Sequence, residues 1–451
     1  MEAYAQLKAL GLFDARVPRY TSYPTAPHFK TGAFSAQTAS WIAALKPGEE
    51  ISLYLHIPFC RRLCWFCACR TQGTSTLSPV AAYLDTLKKE IVHLGTLLPD
   101  GVVLGNLHWG GGTPTLLEPD MMADLAAAIF DIAPMAPDGE FSVEIDPNEL
   151  DDSRLDALAA AGMNRASIGV QDFDPAIQET IGRVQSYDVT KAAVDGLRAR
   201  GINSLNADIL YGLPHQTPEK IATSVQQLLS LNPDRVALFG YAHVPWMARR
   251  QSMIPTDALP TPQERLALFD DARALFVSDG YDEIGIDHFA RPNDSLAVAQ
   301  KAGRLRRNFQ GYTDDRCDTL IGLGASAISR YRQGYAQNAP ATSAYQEAVR
   351  SGKLATSKAH VFCHDDALRG RIIEALMCDF EVRFDDLNAR FDLSRDAFLE
   401  FGQGVAAAFP DMVATDSERI AILDIGKPLT RMIARHFDAY QMNEGSHSIA
   451  V

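Results

Sequence analysis

The chain has 451 residues, 47% of them apolar and 22% charged, with a formal net charge of -14. That length suits one large domain with appendages or two to three domains, and the composition is that of an ordinary globular protein. The acidic balance argues against a broad phosphate-backbone footprint and admits an anionic ligand only in a locally basic pocket, and no uninterrupted apolar stretch is long enough to cross a bilayer.

Residues 1–50 show a short N-terminal helix, no basic-apolar-small leader, and the segment Val17 to Pro24 (VPRYTSYP). They are expected to form an arm draped over the following domain of a cytoplasmic protein. From residue 51 onward, short apolar runs alternate with longer amphipathic ones, the pattern of βα units and a parallel sheet. Strands are predicted over 51–57, 103–109, 140–146, 165–170, 204–210 and 235–241. Helices are predicted over 78–98, 119–133, 151–162, 187–200, 217–231 and 261–279. Six successive units of this spacing predict an α/β fold, a partial (β/α)6 TIM-like barrel, within a domain spanning residues 51–355. Residues 356–451 read as a mostly helical, winged-helix-like domain of three helices, a hairpin turning at Thr415 to Glu418, and a further helix. With 16 acidic against 10 basic residues over 355–451, it suits a cover for the open end of the barrel and not DNA.

Chemistry concentrates after the first strand, where Cys60, Cys64, Cys67 and Cys69 crowd into ten residues. The first three read C-x3-C-x2-C, with Phe66 before the third. One short loop of that spacing can wrap three thiolates around a cube of iron and sulfide and leave one iron open to a small molecule. Structural zinc would prefer a second, distant ligand pair, and Cys317, Cys363 and Cys378 are too scattered to suggest a disulfide framework.

The other unusual residues also fall at the C-terminal ends of predicted strands, the rim on which barrel enzymes build their sites. Gly110 to Gly112 follow the second strand, where missing Cβ atoms let backbone approach a ligand and pair with the amino group of a cluster-bound amino acid. Glu144, Gln171 and Asp208 end later strands, as buried partners of backbone or arginine, or as acceptors for ribose hydroxyls. Arg183 suits a neighbouring carboxylate or a ligand carboxylate. Tyr54, in the first strand, is either a core aromatic or a wall of the ligand site. Asp287 to Pro292 (DHFARP) and Arg304 to Thr313 (RLRRNFQGYT) read as loops, solvated by default, whose interleaved arginines and aromatics would suit a large, flat, polycarboxylated ligand.

Taken together, Tyr54 to Cys60 (YLHIPFC), Cys64 to Cys69 (CWFCAC), Trp109 to Thr115 (WGGGTPT), Glu144 to Pro147 (EIDP), Tyr211 to Pro214 (YGLP), DHFARP and Asn308 to Thr313 (NFQGYT) resemble the radical S-adenosylmethionine superfamily. Within it, the resemblance is to the oxygen-independent coproporphyrinogen III oxidase family, also called coproporphyrinogen dehydrogenase, and it covers most of the chain. It implies one [4Fe-4S] cluster on Cys60, Cys64 and Cys67, with Cys69 an extra, non-ligating thiol. It also implies two S-adenosyl-L-methionine molecules, the first at Tyr54, Gly111, Glu144 and Ile328. The second would lie at Phe66, Gly112, Thr113, Gln171, Arg183, Asp208 and Ala242. The implied reaction is radical decarboxylation of two propionates of coproporphyrinogen III to vinyl groups in haem biosynthesis. A flavodoxin or ferredoxin system is the implied reductant, and with no exposed apolar stripe evident the chain is expected to be a monomer. A related haem-chaperone branch shares the cluster cysteines, but typically lacks the C-x-C extension and the NFQGYT segment. The stretch Thr313 to Asp318 departs from the family's usual threonine-rich run.

Overall fold

A computed structural model describes residues 2–441 and 450. Six parallel strands lie side by side in chain order: β1 (Glu50–Ile57), β2 (Val103–Gly111), β3 (Met135–Ile145), β4 (Arg165–Gln171), β5 (Ser204–Tyr211) and β6 (Arg235–Gly240). Each predicted helix is present: α1 (Ser78–Leu97), α2 (Pro119–Phe130), α3 (Asp152–Ala160), α4 (Tyr187–Ala199), α5 (Pro218–Ser230) and α6 (Pro262–Ser278). Strand alternation decides which side chains meet them. Leu53, Leu55, Leu107, Trp109, Val143, Ile168 and Ile209 pack with helix residues such as Leu84, Leu87, Leu125 and Val225 into one core. The opposite face carries Tyr54, His108, Ser142, Glu144, Asn206 and Asp208, and the strand register sets Tyr54, His108 and Ser142 in one row.

The sheet extends beyond these six strands without closing. β7 (Asp282–Ile284) and β8 (His288–Ala290) add antiparallel strands beyond β6. On the other side β9 (Leu320–Leu323) runs parallel to β1, a seventh parallel strand. Antiparallel β10 (Ile328–Tyr331), β11 (Gly334–Asn338) and β12 (Thr356–Val361) follow, and Lys30–Thr31 forms the edge. The first fifty residues are thus more than a draped arm: they supply that edge and a helix, Ser35–Ala43, which buries Trp41 and Ile42. DHFARP and RLRRNFQGYT are not solvated loops either. His288–Ala290 is fully buried sheet, and Arg306–Asn308 pairs with Gly311–Thr313 in a hairpin.

The C-terminal region forms a second core around α7 (His364–Asp379), α8 (Phe384–Phe391), α9 (Arg395–Ala408) and α10 (Thr430–His436). Its hairpin, Val413–Thr415 with Arg419–Ile422, turns where expected and is joined by a third strand, Glu381–Arg383. Leu7, Leu12, Phe13, Tyr20 and Tyr23 of the N-terminal arm belong to this core, so the arm is docked on the C-terminal region.

Candidate active site at the strand rim

The cysteine loop is held from several sides. Trp65 donates its backbone N–H to Ile181 O at 2.9 Å, and Gly182 (φ 68°) leaves the space that its indole fills. Gln251, only 1% exposed, donates to the carbonyls of Phe66 at 2.7 Å and Ala242 at 3.0 Å while accepting Val244 N–H at 2.6 Å. Arg250 donates to Cys69 O at 3.1 Å and Thr71 Oγ1 at 2.9 Å. Cys60, Cys64 and Cys67 are free thiols. Cys69 sets itself apart, its thiol and its N–H, 3.4 Å away, both directed at Cys67 Sγ. Those hydrogen bonds, against the opposing effect of burial, bring Cys67 down to about 6, helped by Arg250 and Arg183; burial pushes Cys60 up to about 11. Three neighbouring thiols of one loop, close enough for Cys64 and Cys67 to act on Cys60, with two guanidiniums to offset thiolate charge, are a donor set that fits a [4Fe-4S] cluster.

The glycine run continues β2 against the start of that loop. Gly112 N–H donates to Ile57 O and Thr113 N–H to Phe59 O, both at 2.8 Å. A Cβ on Gly112 would meet Phe59 O at 2.5 Å, and one on Gly111 (φ 111°) would meet His56 Nδ1 at the same distance. Gly111 N–H donates to Glu144 Oε2 at 2.9 Å, and His108 Nε2 lies 3.4 Å from Glu144 Oε1. Burial alone would raise the Glu144 carboxyl, yet His108 and the Gly111 N–H hold it below the usual range. Tyr54 stacks on His108 with centroids 5.7 Å apart and bonds His56 Nδ1 at 2.9 Å. The Ile328 carbonyl sits where a Cβ of Gly322 would be, and Gly322 is registered with Tyr54. Tyr54, Gly111 and Glu144 thus meet around His108 and His56, while Ile328 stands on β10, across Gly322 of β9 from Tyr54.

A second cluster lies along β4 and β5. Gln171 takes a left-handed φ of 71°, rare for a non-glycine residue. Its amide and the Arg183 guanidinium both press on Gly169, and Arg183 Nη2 donates to Gly169 O at 2.9 Å. Arg183 pairs with Asp146 at 3.5 Å and reaches Cys64 Sγ at 3.5 Å, bridging the rim to the cysteine loop, and its charge also acts at longer range on Asp208. Asp208 accepts from Asn206 Nδ2 at 2.9 Å, and burial with nearby Glu144 pushes it up to about 6. His108, Asn206, Asp146, Arg250 and Gln251 are site residues that the sequence reading did not single out. The first two could have been found, since they share strand parity with Glu144 and Asp208.

Below this rim, a cavity of about 810 Å³ runs between the ends of β5 and β6, α6, the N-terminal arm and α10. Arg19, Arg265, Arg307 and Arg431 line it together with Tyr211 and Phe269. Arg19 is anchored on Gly240 O and Arg265 on Tyr241 O, each at 2.7 Å, while Arg307 lies 4.4 Å over the Tyr312 ring. Burial, with the positive charges of Arg19 and Arg307, drives the Arg431 guanidinium well below its usual range. Such a wall favours an anion with several separate charges.

Known proteins resemble this chain over nearly its whole length. The Radical SAM superfamily matches residues 54–228. The oxygen-independent coproporphyrinogen III oxidase of Paracoccus denitrificans (strain Pd 1222) is 61% identical over 451 residues, covering 100% of both chains. That of Escherichia coli (strain K12) is 40% identical over 94% of this chain and 93% of its own length. The solved structure titled "Coproporphyrinogen III oxidase (HemN) from Escherichia coli is a Radical SAM enzyme" superposes with a TM-score of 0.89 at 38% identity, over 95% of this chain and 100% of that one.

Proposed function

Since the chain belongs to the oxygen-independent coproporphyrinogen III oxidase family of the radical SAM superfamily, we propose that its rim holds the cofactors and its arginine-lined cavity the substrate. The protein is an oxidoreductase that decarboxylates two propionates of coproporphyrinogen III to vinyl groups, giving protoporphyrinogen IX in haem biosynthesis. Its relatives carry the oxidase name, and nothing in the cavity favours a haem-delivery role over it.

Cys60, Cys64 and Cys67 would hold the [4Fe-4S] cluster, which would supply the electron for reductive cleavage of S-adenosyl-L-methionine and so the radical chemistry at the propionate β-carbon. Glu144, Gly111, Tyr54 and Ile328 bind the first cofactor molecule. The preformed Gly111 N–H to Glu144 bond, at 2.9 Å, supports a role for this pair in ordering the ligand's polar groups. Gly112, Thr113, Phe66, Gln171, Arg183, Asp208 and Ala242 bind the second. The single observation that carries the substrate assignment is the gathering of Arg19, Arg265, Arg307 and Arg431 in a cavity that shares Gly240 and Ala242 with the rim. Their fixed guanidiniums hold the propionates, and Tyr211 and Phe269 supply apolar wall for the ring. The protein acts as a cytoplasmic monomer that receives electrons from a flavodoxin or ferredoxin system.

Anaerobic turnover tests the whole reading. Reconstituted, reduced protein with S-adenosyl-L-methionine and coproporphyrinogen III yields 5'-deoxyadenosine, carbon dioxide and vinyl product; tight haem binding without any of these would establish the haem-delivery reading instead.

A further inference from the structure

DHFARP and NFQGYT meet where His288 packs on Tyr312, and Asp287 bonds that histidine. The Asp287 backbone carbonyl accepts Leu238 N–H at 2.8 Å, which fixes it beside β6. Its Oδ1 bonds His288 Nδ1 at 2.7 Å. The His288 ring is wedged edge-on between Phe239 and Tyr312, with centroids 5.3 and 5.1 Å away. Tyr312 is locked in turn, its hydroxyl donating to Met377 O at 2.6 Å and accepting Ile286 N–H at 3.1 Å. The Asp287 side chain, 18% exposed, lines the cavity, and its Oδ2 has no partner among the described residues.

The cavity's other acids are differently placed. Glu283 is held by Arg273 at 2.8 Å, Asp424 by Lys427 at 2.8 Å, and Asp270 is exposed. Burial would raise the Asp287 carboxyl, but His288, Arg307 and Arg19 hold it below the usual range. A half-buried, ionised carboxylate with a free oxygen calls for N–H or O–H donors in the ligand. The substrate's own carboxylates cannot supply them; its pyrrole N–H groups can.

We propose that Asp287 accepts hydrogen bonds from the pyrrole N–H groups at the centre of the porphyrinogen ring, and so selects the reduced macrocycle over the oxidised porphyrin. A porphyrinogen, bent at its saturated bridges, can aim all its pyrrole N–H groups at one acceptor. A porphyrin is flat and presents imine lone pairs beside fewer N–H groups, so the same carboxylate gains little from it. Arg307, which is buried and keeps Nε and Nη1 without a partner among the described residues, serves the propionates that both macrocycles share. This assignment rests on coproporphyrinogen III occupying the cavity.

Anaerobic binding of coproporphyrinogen III and of coproporphyrin III to the cluster-loaded enzyme separates the two statements. Asp287→Asn weakens the porphyrinogen about tenfold or more and changes the porphyrin less than about twofold. Arg307→Met weakens both together. If Asp287→Asn does not retain its cluster absorbance, Asp287→Ser is read in its place. Equal loss of both ligands, or of neither, in the Asp287 variant overturns its role. Unchanged binding of both in Arg307→Met together with Arg431→Met overturns the cavity assignment itself.

Discussion

The side-chain amide of Gln251 donates to the Phe66 carbonyl at 2.7 Å, tying the cysteine loop to the segment after β6. Through the same side chain Ala242 O and Val244 N–H are also satisfied, so one buried amide positions two residues assigned to the second cofactor. Replacing Gln251 by Leu keeps most of its volume and strands three buried backbone groups. The expected cost is about 1–3 kcal/mol of stability, with weaker S-adenosyl-L-methionine binding and faster loss of iron. Thermal unfolding and iron per chain after desalting measure both; a stability loss with iron and cofactor binding intact would reduce Gln251 to a packing residue.

Gly112 faces backbone, and that decides its tolerance. A Cβ there would meet Phe59 O at 2.5 Å and Phe59 N at 2.8 Å, and neither atom can swing aside as a side chain would. Gly112→Ala therefore displaces the start of the cysteine loop. The expected outcome is folded protein by circular dichroism that reconstitutes little cluster. Full cluster content in this variant would show that the loop tolerates displacement.

Cys67 and Cys69 are two residues apart, yet they should answer differently. Cys69 donates to Cys67 Sγ through its backbone N–H at 3.4 Å, a bond that survives removal of the Cys69 thiol. Cys69→Ala is expected to retain the visible absorbance of the cluster, and Cys67→Ala to abolish it. The reverse pattern would reassign the third ligand.

Much of this was legible in the chain because strand alternation is strict. Glu144 and Asp208 stood out because they fall late in predicted strands, on one rim, and alternation then turns them and Tyr54 away from the helices. Longer-range pairing left no such trace. β9 is four apolar residues whose parallel partner, β1, lies far back in the chain, and no local periodicity marks that pairing. The cavity cations come from the arm (Arg19), α6 (Arg265), a hairpin (Arg307) and α10 (Arg431), which only the tertiary fold brings together. DHFARP and RLRRNFQGYT read as solvated because charge usually is; Tyr312 makes the exception, covering Arg307 with its ring and His288 with its edge.

Glu90 gives the clearest pH dependence. It is 2% exposed on α1 and accepts hydrogen bonds from Tyr345 Oη at 2.7 Å and from Gly324 N–H and Asn338 Nδ2 at 2.8 Å each. Burial outweighs these bonds and pushes its carboxyl up to about 7, from 4.5 in the unfolded chain. Between those values the folded protein keeps a proton that the unfolded chain has released, so stability falls as pH rises through this window and levels off above about 7. The contribution is on the order of 3 kcal/mol. Asp208 and Asp379, both pushed up to about 6 by burial, act in the same direction, so the wild-type slope alone cannot be assigned to Glu90. Glu90→Gln isolates it. Urea unfolding of wild type and variant at about pH 5 and about pH 7.5 is expected to show a shallower loss in the variant, and equal slopes would place the proton elsewhere. Because Glu90 secures Gly324 at the end of β9, and β9 lies against Tyr54 of β1, the same titration is expected to loosen the sheet on the side proposed for the first cofactor.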